Sequence, residues 1–265
     1  MDKTQPRIIF GNLVNELMTA EPDIRHARSL SAVSTRKIWL AYEGDCVITP
    51  EEIRPVFKEY ACGLLQSDPN KITNYTPTGS VLTYLSKRLD HGDRAVFNEY
   101  LSQTPNAVLL PFALDLPTLN FAKQYNLPID AYDAFPASSL IELIYRWNTK
   151  SGFRALAERL NLPIVPGVST QDVNEVNALV HQFLPLTGKV IIKLDRGSNG
   201  YGHLVLDHQT DFKYVFAQHL EAFKNQYKHF TIESLLEVIA VPNITLTINN
   251  YMSPSQMFGV QAARI

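Results

Sequence analysis

Cysteine is scarce in this chain: only Cys46 and Cys62 occur among 265 residues. Their separation matches no metal-ligand spacing. One disulfide is allowed, but reduced, buried thiols are the expectation. An excess of one charge is also missing. The net charge is −2, so no polycationic surface advertises nucleic acid or an anionic membrane, and the aromatic residues are scattered rather than interleaved with Arg or Lys. No apolar run approaches membrane-spanning length. Met1 to Gly11 is a polar start followed by a very short apolar strand, unlike a signal peptide. The expectation is therefore a cytoplasmic protein with neither nucleic acid nor membrane as partner. There is no internal repeat and no low-complexity segment.

Apolar residues make up 45% of the chain and charged residues 19%, an ordinary balance for a folded protein long enough for two compact units. Arg7–Phe10 reads as a strand, after which Leu13, Val14, Leu17 and Met18 can share one face of a helix. Lys37–Ala41 and Cys46–Ile48 read as further strands. Thr49-Pro50-Glu51-Glu52 has the features of a helix start, with a capping residue, proline at the first position and acid in the first turn. Thr78–Leu89 repeats that pattern. Val108–Phe112 is strand-like and Leu116–Tyr125 helical. Strands alternating with helices imply a mostly parallel sheet, placed at residues 1–136.

From Ser138 the pattern changes. Ser139–Tyr145 is an amphipathic helix, and Gly152–Leu160 a second one with Phe153, Leu156, Ala157 and Leu160 along one face. Leu162–Gly167 leads into a new unit. Helices follow at Gln171–Leu184 and Asp211–Lys228, and strands at Phe230–Leu236, Ile244–Ile248 and Met257–Ala262. The divisions drawn are linking helices at 137–164, an α+β unit at 165–232 and the beginning of an antiparallel lobe at 233–265.

The most informative stretch is Lys189–Leu206, which reads strand, glycine-rich turn, strand. Lys189, Ile191 and Lys193 alternate with Val190, Ile192 and Leu194, so the two sets take opposite faces. Three glycines, Gly197, Gly200 and Gly202, fall within six residues. Such a loop can wrap its N–H groups around an anion, because glycine admits positive φ and close approach. Lys193 stands at its entrance. The same residues also suit a plain hairpin with a solvated lysine. A Walker A loop requires Gly-Lys-Ser/Thr opening a helix, and a dinucleotide fingerprint also needs a helix after its glycines; neither follows here. His203 and His208 have no companions at ligand spacing and read as non-catalytic. Asp195 and Arg196 read as paired with each other or facing solvent, with Arg196 a minor phosphate-clamp candidate.

Taken in order, these features resemble the ATP-grasp superfamily over roughly residues 138–248. The pieces that carry the likeness are Asn148-Thr149-Lys150 before a helix and the Leu162-Pro163-Ile164-Val165-Pro166-Gly167 entry. They continue with Val190–Lys193, the Gly197–Gly202 loop and the strand Ile232-Glu233-Ser234-Leu235-Leu236. The resemblance implies an N-terminal pre-ATP-grasp, Rossmann-like α/β domain, an α+β ATP-grasp lid and the start of the antiparallel C-terminal lobe. Trp39–Pro50 is similar to the peptide-ligase type. The implied ligand is ATP. Lys150 and Lys193 would meet its phosphates, and the backbone of Gly197, Ser198, Asn199, Gly200 and Gly202 would close over the terminal ones. Glu233 would lie at the adenine–ribose hinge, with Ser234, Leu235 and Leu236 offering backbone groups to the base. Alternation places Ile191 on the face of Lys193, as a floor for the ring.

Each residue has a plainer reading: Lys150 as a solvated charge at a helix junction, Glu233 as an ordinary strand-end acid. The resemblance further implies ligation of a small-molecule or peptide carboxylate to an amine through an acyl phosphate, with magnesium and with a homodimer allowed. The family's magnesium ligands lie on later strands, and no acidic residue follows Glu237. The metal's ligands are thus expected outside this chain, which alone would be inactive. A truncated ligase, a nucleotide-binding protein without catalysis, and a chain completed by a partner are the three expectations.

Overall fold

A computed structural model describes residues 5–18, 23–197, 200–223 and 229–237, together with the backbone of 243–245 and 261–263. Its first sheet contains β1 (Arg7–Phe10), β2 (Cys46–Ile48), β3 (Thr73–Tyr75) and β4 (Val108–Pro111), in the order β3-β2-β1-β4 and parallel throughout. β1, β2 and β4 are almost continuously apolar because both faces are covered, whereas β3 at the edge is polar. Ile8, Phe10, Cys46, Ile48 and Leu109 pack on one side, and Ile9 and Val47 with Ile38, Ile53 and Ala61 on the other. The helices around it are α1 (Ile24–Ser34), α2 (Pro55–Leu65), α3 (Leu85–Gly92), α4 (Arg94–Gln103) and α5 (Leu116–Gln124). The chain leaves β1 for β2 on one side and returns to β4 on the other. The crevice beyond the carboxyl ends of β1 and β4 is therefore the topological switch point, where parallel sheets take ligands.

α6 (Ser138–Trp147) and α7 (Lys150–Arg159) lead to a second, antiparallel sheet. It contains β5 (Gly167–Thr170), β6 (Lys189–Leu194), β7 (His203–Asp207) and β8 (Phe230–Ser234), in the order β5-β8-β6-β7. α8 (Glu175–Thr187) and α9 (Phe212–Ala222) cover one face, where Val176, Val180 and Phe216 meet Val190, Ile192, Leu206 and Ile232. The other face carries Ile191, Lys193, His203 and Glu233, since residues paired across a sheet point the same way. Glu233 and Ser234 belong to this sheet, so it extends two residues beyond the division drawn at 232. Two short strands, β9 (Asn243–Thr245) and β10 (Gln261–Ala263), pair antiparallel.

Several local expectations are corrected. Thr35–Leu40 is a 3₁₀ helix continuing directly from α1, not a strand; it buries Ile38 and leaves Leu40 exposed. Leu13 and Val14 are buried against Ala27 and Leu30, and Leu17 is buried too, but all three lie in irregular turns and bends rather than in a helix. There the Asn15 carboxamide oxygen accepts from the N–H groups of Leu17 and Met18, an alternative to helical bonding. Thr49 does not cap a helix: its hydroxyl donates to the Glu51 carbonyl, and α2 starts at Pro55, a second proline suited to a first helical position. The helix expected from Thr78 begins at Leu85, because Gly79 at φ +115° and a turn at Ser80 precede it. β3 and α4 carry too weak a periodicity to have been expected. The segments 246–250 and 251–260, where further strand was expected, lie outside the described residues.

On α7 the expected apolar face is displaced. Phe153 and Leu160 are 57% and 56% exposed, while Arg154 is 6% exposed beside buried Ala157. The surface that α7 meets is polar, as the next section describes.

One ion pair anchors the first strand. Asp45 accepts from the Arg7 backbone N–H at 2.9 Å, from Arg7 Nη2 at 2.6 Å and from the Tyr42 N–H at 2.9 Å. Asp45→Ala strands these partly buried donors and is expected to cost about 3 kcal/mol of unfolding free energy in urea titration. Asp45→Asn, which keeps an acceptor, should lose less. A loss in Asp45→Ala within measurement error would show that water replaces the carboxylate.

Candidate nucleotide site

Thr149 caps α7, its hydroxyl accepting from the Gly152 N–H at 2.9 Å, and this fixes Lys150 as the first helical residue. The Lys150 N–H donates to the Asp195 carbonyl at 3.0 Å, and the Ser151 N–H to Asp195 Oδ1 at 2.8 Å. An acidic side chain at a helix N-terminus meets both unpaired N–H groups and the positive end of the helix dipole. Held this way, Lys150 Nζ donates to the Gly197 carbonyl at 3.1 Å, across to the glycine loop. Burial pulls the Lys150 ammonium below the usual lysine value; nearby Asp195 and Glu233 oppose that shift and Lys193 adds to it.

Lys193 lies near the end of β6, and its ammonium bonds Glu233 Oε2 on the neighbouring β8. Glu233 Oε1 accepts from Arg154 Nη2 at 2.7 Å. Arg154 also donates to the carbonyls of Val165 at 2.8 Å and Gly167 at 3.1 Å. Burial alone would raise the Glu233 pKa, but the hydrogen bonds and charges of Lys193 and Arg154 outweigh it and hold the carboxyl below its usual range. The close approach demands glycine at 167, where a Cβ would lie 2.5 Å from the Ile232 carbonyl and 2.9 Å from Arg154 Nη2.

Lys150, Lys193, Gly197, His203 and Glu233 line one cleft of about 590 Å³, with Trp147, Phe153, Arg154 and the segment Pro163–Val165 forming the rest of its wall. That size is typical of a small-molecule site. His203 is shifted down by burial and by the charges of Lys150 and Lys193, so it faces the cleft as a neutral imidazole at pH 7. Arg154 was not anticipated from the sequence. Its one signal is a charge at helical spacing next to Ala157, on the side of α7 that proves to be inward.

The remaining expected residues fall as follows. Ile191 shares the face of Lys193 and is buried, but it does not line the cleft. The Ser234 N–H donates to the Pro166 carbonyl at 3.0 Å and the Leu235 N–H to the Lys189 carbonyl at 2.9 Å. Both donors expected at the purine are thus engaged within the fold, while Leu236 is exposed. Ser198 and Asn199 lie outside the described residues. Gly200 and Gly202 take φ +79° and +70°, the left-handed region, and Gly202 packs against the Leu194 side chain. Asp195 and Arg196 neither pair with each other nor face solvent. Arg196 donates to the carbonyls of Glu16 and Leu17, each at 3.2 Å, and of Tyr145 at 3.0 Å. Those contacts tie the hairpin to the turn after β1. Tyr201 of the loop stacks on His26 of α1, with ring centroids 4.1 Å apart.

Among the described residues no three His, Cys, Asp or Glu side chains come together as a metal site. Glu233, which lines the cleft, is already bound by two cations, and Asp195, beside it at the start of α7, accepts from the Ser151 N–H. The described residues do not fit a magnesium site.

Residues 34–127 match the Pre ATP-grasp domain. The match lies within the N-terminal α/β unit. The fold of the chain is also similar to that of solved structures. D-alanyl-alanine synthetase A from Vibrio cholerae aligns with a TM-score of 0.50 at 11% identity, over 100% of this chain and 68% of that one. N5-carboxyaminoimidazole synthetase from Staphylococcus aureus, solved with ADP, aligns with a TM-score of 0.50 at 14% identity, over 99% of this chain and 53% of that one. At these identities the likeness is one of fold: a parallel sheet followed by an antiparallel one, as in part of an ATP-grasp protein. No curated protein matches the sequence. Among the described residues no helix is long and apolar enough to cross a membrane.

Two outcomes test this local structure. Gly188 and Gly202 both have positive φ, but a Cβ at Gly188 meets nothing within 4 Å whereas one at Gly202 collides with Leu194. Gly188→Ala should cost about 1 kcal/mol and Gly202→Ala measurably more; equal losses in thermal unfolding would refute the packing against Leu194. The second concerns pH. Burial lowers the pKa of His26 below the ordinary 6.5, and its Nε2 is buried without a hydrogen-bond partner. Its stabilising contribution is present above pH 6.5 and lost as pH falls through the lower folded value. His26→Phe, which keeps the stack on Tyr201, should therefore lose less stability between pH 7.5 and 5.5 than the parent, read by urea unfolding.

Proposed function

We propose that this chain supplies the nucleotide-binding part of an ATP-dependent ligase that joins a carboxylate to an amine. The observation that supports this reading is the convergence of Lys150, of Lys193 with Gly197 of the glycine loop, and of Glu233, from three separate segments, on one cleft. Two ammonium groups suit a triphosphate, whose charge they would offset in the ground state and as it redistributes during phosphoryl transfer. In the reaction envisaged, a carboxylate oxygen attacks the terminal phosphorus of ATP, the bond to the bridging oxygen breaks and ADP leaves. The amine then adds to the acyl phosphate and expels inorganic phosphate, giving an amide and releasing one proton. Lys150, Lys193 and the loop serve the first half by orienting and neutralising the triphosphate. Magnesium would be held by ligands outside the described residues. The carboxylate and the amine are small molecules or peptides.

One observation favours a second reading, nucleotide binding without ligation: Glu233 at the cleft and Asp195 beside it are already committed to protein partners. Product formation separates the two. A ligase releases phosphate from ATP only when its carboxylate and amine are present, whereas a binding protein releases none.

The nucleotide claim is tested by calorimetry with Mg-ATP. The parent should bind, and Lys193→Ala and Lys150→Ala should each weaken binding by about tenfold or more, equivalent to 1.4 kcal/mol, while each variant still unfolds cooperatively on heating. Unchanged affinity in either variant removes that lysine from the site, and a parent that does not bind overturns the reading.

A further inference from the structure

Arg154 has no role in the reading above, yet it is among the most buried cations of the described chain and bonds the one residue that holds Lys193. It is fixed from three directions, by Glu233 on β8, by the Gly167 carbonyl on β5 and by the Val165 carbonyl of the entry segment. Glu158, one helical turn along α7, reaches it only at 3.4 Å and is itself exposed. The charges around Glu233 are therefore Arg154 and Lys193 in direct contact, with Lys150 and Asp195 farther off and neutral His203 on the same face.

We propose that Arg154 is a positioning residue of the nucleotide cleft: it fixes the Glu233 carboxylate that aims Lys193 and offsets its charge, leaving the Lys193 ammonium available to a polyphosphate. The inference rests on the nucleotide reading of the cleft. Without Arg154, Glu233 and Lys193 cancel each other, and an anionic ligand gains nothing from that pair. With Arg154, the three groups carry one net positive charge at the cleft wall. Arg154 does this without touching the ligand. A buried cation bonded to backbone carbonyls also keeps the carboxylate from following Lys193 when the ammonium turns toward a phosphate. Arginine suits the task because its planar fork serves a carboxylate and two carbonyls at once.

The test compares ATP affinity, by calorimetry with magnesium present, in the parent, Arg154→Met, Arg154→Lys and the double variant Arg154→Met/Glu233→Gln, between pH 5.5 and 8.5. Expressing each result relative to the parent at the same pH cancels the titration of ATP, Lys150 and His203. Arg154→Met should bind about tenfold more weakly at pH 8.5, and its deficit should shrink as pH falls. The reason is that Glu233, deprived of its second cation, takes up a proton at higher pH than before and stops cancelling Lys193. Arg154→Lys should retain most of the affinity, and the double variant should show a deficit that no longer changes with pH in this range, since no carboxylate remains to titrate. An Arg154→Met deficit that is absent, or constant with pH, overturns the proposal and leaves Arg154 a structural residue.

Carbon-13 NMR titration of the Glu233 carboxyl in the ligand-free protein supplies a readout that needs no nucleotide. Its midpoint should rise in Arg154→Met and much less in Arg154→Lys. An unmoved midpoint refutes the Arg154–Glu233 coupling even if ATP binds. A moved midpoint in a protein that binds no ATP refutes the nucleotide reading instead. Should Arg154→Met not fold, Arg154→Gln, which keeps a donor for the carbonyls without the charge, takes its place in both measurements with the same two outcomes.

Discussion

A single carboxylate shared between two cations organises the second half of this molecule. Glu233 draws Lys193 from β6 and Arg154 from α7 to the same point on β8. The three elements that must stay in register for a cleft to exist are thereby pinned together. A buried ion pair alone is weak evidence for stability, because desolvation can consume the Coulombic gain. What distinguishes this one is that Arg154 also satisfies the Val165 and Gly167 carbonyls. Its cost of burial is thus offset by several acceptors at once. The result is a polar joint where α7 would otherwise have met the sheet through apolar side chains, and it explains why Phe153 and Leu160 are left outside.

A second joint runs through adjacent residues of one strand end. Asp195 binds the first two N–H groups of α7, and Arg196 binds carbonyls of the turn after β1 and of α6. One dipeptide thus fixes where Lys150 starts and where the hairpin stands relative to the crevice beyond β1 and β4. The Tyr201–His26 stack adds a contact between the loop and α1. The parallel and antiparallel sheets are consequently coupled at the carboxyl end of β1, the edge at which a parallel sheet presents its ligand site. A reaction that needs a nucleotide on one unit and an acceptor on the other would take place across this joint.

Much of this was legible from residue types. β6 and the glycine turn stand out because β-branched alternation and positive-φ glycines are strong local signals. The Val190–Lys193 alternation correctly put Lys193 opposite the core face, whereas the helix expected from Gly152 starts two residues earlier, at Lys150, under a Thr149 cap. What could not be read were interactions between distant segments. Arg154 breaks the apolar face of its helix for the sake of Glu233, 79 residues away, and periodicity alone assigns that face to Phe153 and Leu160. Asp195 and Arg196 look like a solvated pair because their partners lie on α7 and beyond β1. Thr49-Pro50 has all the marks of a helix start, yet tertiary contacts of Thr49 with β3 delay α2 until Pro55.

The distribution of polar groups along the cleft bears on what the proposed nucleotide would meet. Lys150, Lys193 and the Gly197 backbone give one end an excess of cations, while Trp147, Phe153, Pro163 and Ile164 give the wall an apolar stretch. A nucleotide has the same division, charge at one end and a flat, weakly solvated ring at the other. The N–H groups of Ser234 and Leu235 cannot read that ring while they bond Pro166 and Lys189. Recognition of the base through those two groups would require one of their bonds to be released, which leaves the backbone of exposed Leu236 as the remaining expected group, whereas apolar contact requires no rearrangement. Phosphate attraction and ring contact together give affinity with little discrimination among bases, because each base offers a similar apolar face. Selectivity for adenine would then depend on that Leu236 backbone.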